Sequence, residues 1–187
     1  MFSPTNFVRN AKTVLRNPRY LYNRVGVMVD QMVHPEDPWL TRNAVDQLAS
    51  YLKPTMKGFE WGSGRSTVWL ARRLEHLVSI EHNAEWHSQT KEKLTATGLL
   101  NVDYRLVPQT AYARQIEEFP NGYFDFIVID GEDRNNCIVA AAAKVHIGGW
   151  VVVDNADSGY DFGPLAAFDL QQTSNGVWRT DLFTRHS

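Results

Sequence analysis

Between Lys57 and Asn155 the chain repeats one unit: a short apolar run ending beside an acidic residue, followed by a stretch with helical spacing. The runs are Lys57–Trp61 with Glu60, His76–His82 with Glu81, Tyr123–Asp130, and Gly149–Asn155 with Asp154, while Val102–Val107 adds a further strand. "YFDFIVID" is apolar almost throughout, as in a strand buried on both faces. Ser66–Arg73, Ala84–Thr97 and Asn136–Val145 read as helices, and Thr41 can cap another that runs through Ala44, Val45, Leu48 and Leu52 before Pro54. Strands alternating with helices predict a parallel sheet with right-handed crossovers. The fold class is α/β: a doubly wound, mainly parallel sheet with helices on both faces, occupying residues 39–187.

The chain's 187 residues, 43% hydrophobic and 21% charged, suffice for one such domain with a full core. A formal net charge of −2 gives no general pull toward nucleic acid, so no nucleic-acid partner is expected. Cys137 is the only cysteine, which excludes an internal disulfide framework and suits a reducing compartment. There is no spanning apolar run and no apolar signal core at the start, so a cytoplasmic protein is expected. Residues 1–38 stand apart as a basic helical extension. Arg9, Lys12, Arg16, Arg19 and Arg24 face one acid, Asp30, and Phe7, Ala11, Val14 and Leu15 fall at helical spacing. Packing on the domain or over its cleft is one use for such a helix, and attachment to an anionic membrane surface or partner is another.

Gly62-Ser63-Gly64-Arg65-Ser66-Thr67 joins the first strand to its helix and looks built to hold a ligand against bare backbone. A triphosphate loop requires a glycine where Phe59 stands and a lysine where Arg65 stands, and Glu60 would repel phosphate. A dinucleotide loop requires a third glycine where Thr67 stands, although Glu81 meets its need for a ribose-binding acid. S-adenosylmethionine carries an amino group, a carboxylate and a ribose but no phosphate. Glu60 suits the amino end, Gly62 and Gly64 allow close approach, and amides beside Ser63 and Ser66 suit the carboxylate. Glu81 can accept from both ribose hydroxyls. A plain strand-to-helix turn with surface acids leaves unexplained why acids end consecutive strands.

"FEWGSGRSTVWLAR", "VSIEHNAEWH", "FDFIVIDG" and "GGWVVVDN", in that order, resemble the class I S-adenosylmethionine-dependent methyltransferases over about residues 39–155. The resemblance implies a Rossmann-like sheet with the cofactor over the carboxyl ends of the strands. It puts Glu60, Gly62 and Gly64 on the first motif, Glu81 at the ribose, and His82, Gln109 and Thr110 near the adenine. Asp130 falls where it can touch the cofactor's amino end or act as general base.

Asp130 and the pair Asp154-Asn155 end strands that are neighbours in the expected order, beside the switch point. Two carboxylates and an amide oxygen are hard ligands suited to Mg2+. Here the chain resembles the catechol and caffeoyl-coenzyme A O-methyltransferase branch, in which such residues hold a divalent metal that binds the acceptor hydroxyl. It departs from that branch in glycine spacing and in having Asp133-Arg134 where a lysine is implied. Arg134 is a poor proton acceptor but can hold an anionic substrate. A turn of ordinary strand-end residues is the other use for Asp154 and Asn155.

The function expected is methyl transfer from S-adenosylmethionine, on oxygen of a small-molecule or glycan hydroxyl, with Mg2+ assistance as one form of it. A nicotinamide-dependent oxidoreductase and a non-catalytic S-adenosylmethionine-binding domain are the alternatives. His34 and Trp39 flank the entry to the domain, where either can close over the cleft; His34 can serve as a base near neutral pH or simply as a surface loop residue, and Trp61, Trp69, Trp86 and Trp150 read as packing residues. After Asn155 a loop, a short helix and one strand, Val177–Phe183, are expected. The family ends in two further strands, so the sheet edge is incomplete unless the loop after Asp157 hides a strand or a second copy supplies one, which points to a homodimer.

Overall fold

The structure, a computed structural model, describes residues 18–186. The spacing of Phe7, Ala11, Val14 and Leu15 lies outside those residues. The described chain starts with helix α1, Pro18–Val33, followed by α2, Arg42–Tyr51. The alternating part then runs β1 Lys57–Trp61, α3 Arg65–Ala71, β2 His76–Glu81, α4 Ala84–Thr97, β3 Val102–Leu106, β4 Phe124–Ile129, α5 Arg134–Lys144 and β5 Val145–Val153. Two antiparallel strands finish it, β6 Asp169–Ser174 and β7 Arg179–Thr184.

The strands form one seven-stranded sheet in the order β3-β2-β1-β4-β5-β7-β6. β1 to β5 are parallel to their neighbours, while β7 runs antiparallel to β5 and β6 antiparallel to β7. This is a Rossmann-like doubly wound sheet, and the order reverses between β1 and β4. β4 alternates as its composition requires. Ile127 and Ile129 join a core with Tyr112, Ile116 and the α5 residues Cys137, Ile138 and Ala141. Phe126 and Val128 join the opposite core with Ala44, Leu48, Trp69 and Leu70 from α2 and α3. Both faces of the strand are dry, which is why it shows no polar alternation.

Three expectations are corrected here. The segment after Asp157 does contain a strand: β6 pairs with β7 from Asp169↔Thr184 to Ser174↔Arg179, so the chain completes its own family-like edge and that reason for a homodimer disappears. β5 begins at Val145 rather than Gly149, because Val145 already pairs with Phe124 before an irregular stretch that resumes at Trp150↔Phe126. Thr41 precedes α2 but makes no side-chain cap. Its hydroxyl instead shares a hydrogen bond with that of Thr173, and its amide donates to Thr180 Oγ1 at 3.2 Å, joining the helix to the β6–β7 hairpin. Among the described residues no helix is long and apolar enough to cross a membrane.

Candidate active site

Glu60, Glu81, Asp130 and Asp154 lie at the carboxyl ends of β1, β2, β4 and β5, around the point where the strand order reverses. Ligands of open α/β sheets bind there. Glu60 is fully buried. Its Oε2 accepts from Thr67 Oγ1 and Ser79 Oγ, both at 2.7 Å, while Oε1 has no partner among the described residues. Burial pushes this carboxyl up to about 7, against the hydroxyls of Ser66, Ser79 and Thr67 and helped by the charge of Asp130. A buried acid with one unsatisfied oxygen fits a cationic amino group.

The folded value of Glu60 lies above the ordinary 4.5, so the folded protein retains a proton that the unfolded chain releases. Its contribution to stability is complete below about pH 4.5 and is lost as pH rises through about 7. The ligand-free protein should therefore lose thermal stability across that window. Glu60→Gln should flatten part of the decline; an identical slope in the variant would show that Glu60 is not among the protons released.

Gly62 holds φ +92°, and a Cβ there would come 2.5 Å from Gly131 N and 2.7 Å from Asp130 C. The β1 and β4 loops therefore touch through bare backbone. Gly64 differs: its Cβ would make ordinary contact with Trp86 at 3.6 Å, so the fold itself does not demand glycine there. Gly64 N donates to Thr67 Oγ1 at 2.9 Å, and the same hydroxyl donates onward to Glu60. Thr67, where a dinucleotide loop wants glycine, thus locks the loop to the acid.

Glu81 is a fixed acceptor. Oε2 takes Ser63 N at 3.2 Å and Ser63 Oγ at 2.9 Å, and Oε1 takes His82 N and Asn83 N, each at 2.9 Å. Ser63 Oγ also pairs with Tyr104 Oη at 2.6 Å. The hydroxyl of Ser63 therefore serves Glu81. His82 stands edge-on to Tyr112, with ring centroids 5.6 Å apart. Gln109 is exposed in a short turn after β3, beside the equally exposed Thr110. Tyr112 was not marked by the sequence. It is fully buried, its hydroxyl has no partner, and it abuts Gly131, where a Cβ would strike it. Trp86 is not a core residue: it is 36% exposed and donates its indole N–H to Ser63 O over the glycine loop. Trp61, Trp69 and Trp150 pack as expected.

Glu81→Ala should weaken binding of S-adenosylhomocysteine by about 1.5–3 kcal/mol, the value of hydrogen bonds to a charged group. Calorimetry reads it, and an unchanged dissociation constant would remove Glu81 from the ribose site.

On the other side of the reversal, the guanidinium of Arg134 occupies the space between the β4 and β5 loops. Nε donates to Gly131 O at 2.8 Å, and Nη2 donates to Asp130 O at 2.9 Å, Asp130 Oδ1 at 3.0 Å and Asn155 Oδ1 at 3.5 Å. Nη1 donates to Asp154 O. The cation also lies over the Tyr160 ring, 5.6 Å from its centroid. Asp133 and Asn155, one in each loop, sit in left-handed conformations with φ 49°. Asp154 is 3% exposed and accepts from Thr180 Oγ1 at 2.7 Å. Burial raises both Asp130 and Asp154, and the charge of Asp130 raises Asp154 further; Arg134 opposes the rise at both.

The expected Mg2+ site does not fit this arrangement. Asp130 and Asn155 already receive the guanidinium, Asp154 is committed to Thr180, and a fixed cation fills the gap a metal would need. Among the described residues no group of three His, Cys, Asp or Glu is placed to hold a metal. His34 is exposed and bonds to Asp30 at 3.1 Å, and Trp39 lies against Arg65, 5.1 Å from the guanidinium carbon.

Comparison with known proteins agrees with this geometry. The chain belongs to the methyltransferase-domain family, whose model matches residues 59–156. It is an S-adenosylmethionine-dependent methyltransferase, and the oxidoreductase alternative falls. Among solved structures, it is similar to an rRNA methylase from Streptococcus thermophilus, with TM-score 0.62 and 13% identity over 76% of this chain and 93% of that one. A protein assigned as an O-methyltransferase from Klebsiella pneumoniae matches with TM-score 0.61 and 19% identity, over 91% of this chain and 89% of that one. A protein assigned as a methyltransferase from Streptococcus mutans, solved with SAH, gives TM-score 0.58 and 14% identity over 74% and 93%. At such identities the likeness is one of fold. Comparison with curated proteins by sequence returns no match.

Proposed function

We propose that this methyltransferase acts on oxygen, on a hydroxyl of a small molecule or glycan, and that Arg134 stands in the position a divalent metal would take. The observation that carries the reading is the guanidinium held among Asp130, Gly131, Asp154 and Asn155 at the acceptor end of the cleft. Glu60, the backbone of Gly62 to Gly64, and Glu81 would hold the amino, carboxylate and ribose ends of S-adenosylmethionine. That cofactor supplies a methyl group on a positively charged sulfur.

The chain's own residues then have three tasks. Asp130, which burial raises above the ordinary carboxylate value against the pull of Arg134, is basic enough to take the proton of an acceptor hydroxyl. Arg134 fixes the direction of that carboxylate and places positive charge where the acceptor oxygen becomes nucleophilic. Tyr112 and Gly131 close the floor beneath the reacting atoms and keep water from it.

The test is methyl transfer from labelled S-adenosylmethionine to phenols, sugars and oligosaccharides, with and without chelator. Transfer to a hydroxyl that survives chelation is expected, and Asp130→Asn should lower kcat about 100-fold or more. Activity lost in chelator and restored by Mg2+ would overturn the metal-free reading. Label appearing only in added ribosomal RNA would overturn the small-acceptor reading, and with RNA methylases among the proteins of this fold that arm belongs in the assay.

A further inference from the structure

Helix α1 is turned the wrong way round for a helix that packs on its own domain. At 100° per residue, Leu21, Tyr22, Val25, Met28, Val29, Met32 and Val33 form one continuous arc of about 140°. Every one of them is exposed, from 48% at Leu21 to 79% at Tyr22, and the helix has no buried residue. The polar side faces the body instead. Asn23 Nδ2 donates to Gly176 O at 3.4 Å, and Asp30 takes Arg42 Nε at 3.0 Å and Nη2 at 3.2 Å. Tyr22, Val25 and Val29, running from the middle of the arc toward the side nearer the body, border an open cavity of about 420 Å3 beside Leu40 and Trp178, so they are not packed there either.

Charge identifies what the arc meets. Arg19 and Arg24 lie just beyond its two margins, one on each side, about 40° from the nearest apolar residue. Flanking cations can reach sideways while apolar side chains point down, the arrangement of a helix lying in a headgroup layer. The first 24 residues hold five basic side chains and no acid, leaving 14 of the chain's 19 basic residues against all 21 acids. That local excess opposes pairing of α1 with α1 of a second copy. A helix that bound the phosphates of a nucleic acid would have no use for seven exposed apolar side chains.

We infer that α1, with the basic residues before it, docks the protein on an anionic membrane surface, apolar arc down and Asn23 and Asp30 holding the domain above. Each basic residue near such a surface adds affinity, and the apolar side chains add to it by burial at the acyl boundary.

The experiment is co-sedimentation of the full chain with phosphatidylcholine vesicles that contain or lack phosphatidylserine. Binding to the anionic vesicles, weakened by salt, is expected. Arg19→Glu with Arg24→Glu should lower partitioning about tenfold or more, and Leu21→Asp with Met28→Asp should abolish it. Arg19, Leu21 and Met28 are exposed and Arg24 is half-buried; all four lie outside the residues proposed for cofactor and acceptor, so S-adenosylhomocysteine affinity should stay unchanged and certify folding. Three results would each overturn the inference: no binding to either vesicle, tighter binding to RNA than to vesicles, or a dimer in sedimentation that Leu21→Asp with Met28→Asp makes monomeric.

Discussion

Gly62→Ala is expected to destabilise the protein by about 2–5 kcal/mol and to remove measurable cofactor binding. Two effects combine. The backbone at φ +92° strains any side chain, by about 1–2 kcal/mol. The added methyl must also enter a space bounded by Gly131 N and Asp130 C, which are backbone and cannot swing away as a side chain can. Overpacking of that kind adds about 1–3 kcal/mol. Relief would come from parting the β1 and β4 loops, which carry Glu60 and Asp130, the acids proposed to meet cofactor and acceptor. Urea unfolding reads the stability, and calorimetry with S-adenosylhomocysteine reads the site. Gly64→Ala is the control: its methyl meets Trp86 at 3.6 Å, and a change below about 1 kcal/mol is expected. Equal effects at the two glycines would mean the loop contact is not what makes Gly62 necessary.

Arg134→Met should cost about 3–5 kcal/mol, because it strips the cation from a largely buried cluster and leaves Asp130 and Asp154 facing each other. The side chain is 11% exposed, so water cannot readily replace it. Lysine keeps the charge but not the fork: one ammonium cannot serve Gly131, Asp130, Asp154 and Asn155 together, so Arg134→Lys should recover less than half of the loss. Adding Asp130→Asn to Arg134→Met removes one of the opposed carboxyls and should restore part of the stability without restoring activity. Thermal denaturation of the wild type, the single variants Arg134→Met, Arg134→Lys and Asp130→Asn, and the double variant tests this. A fully additive double variant would show that Arg134 and Asp130 do not interact.

These residues also mark how far the sequence could be read. β1, β2, β4 and β5 are legible because both faces are covered, so their runs are apolar and each ends in an acid. β6 was hidden for the opposite reason. It is an antiparallel edge strand in which Thr173 alone is buried, and "DLQQTS" has no apolar alternation to betray it. Glu60, Gly62 and Glu81 were legible because their spacing follows the strands. The misfit of a metal could not be read because Asp130, Asp154 and Asn155 show only where acceptors lie along the chain. That Arg134 folds back from the first turn of α5 to meet all of them is a matter of rotamer and loop conformation, and left-handed Asp133 and Asn155 give no pattern to find. Tyr112 and Thr67 left still less trace, since a tyrosine in a turn and a threonine in a helix are ordinary in sequence.

The hydrogen bonds from Thr41 to Thr180 and from Thr180 to Asp154 bear on the order in which the site is assembled. The bonds around Glu60 and Glu81 to Thr67, Ser79 and Ser63 span 19 residues at most, and the longest side-chain bond of that loop, Ser63 to Tyr104, spans 41. The acceptor half requires Thr180 to reach Asp154, 26 residues back, and Thr41, 139 residues back. Long closures form late and open early when the surrounding edge is thin. A chain that has not yet paired β7 can thus present a formed glycine loop beside an unaligned Asp154, and fraying from the C-terminal edge would disturb Asp154 before it disturbed Glu60.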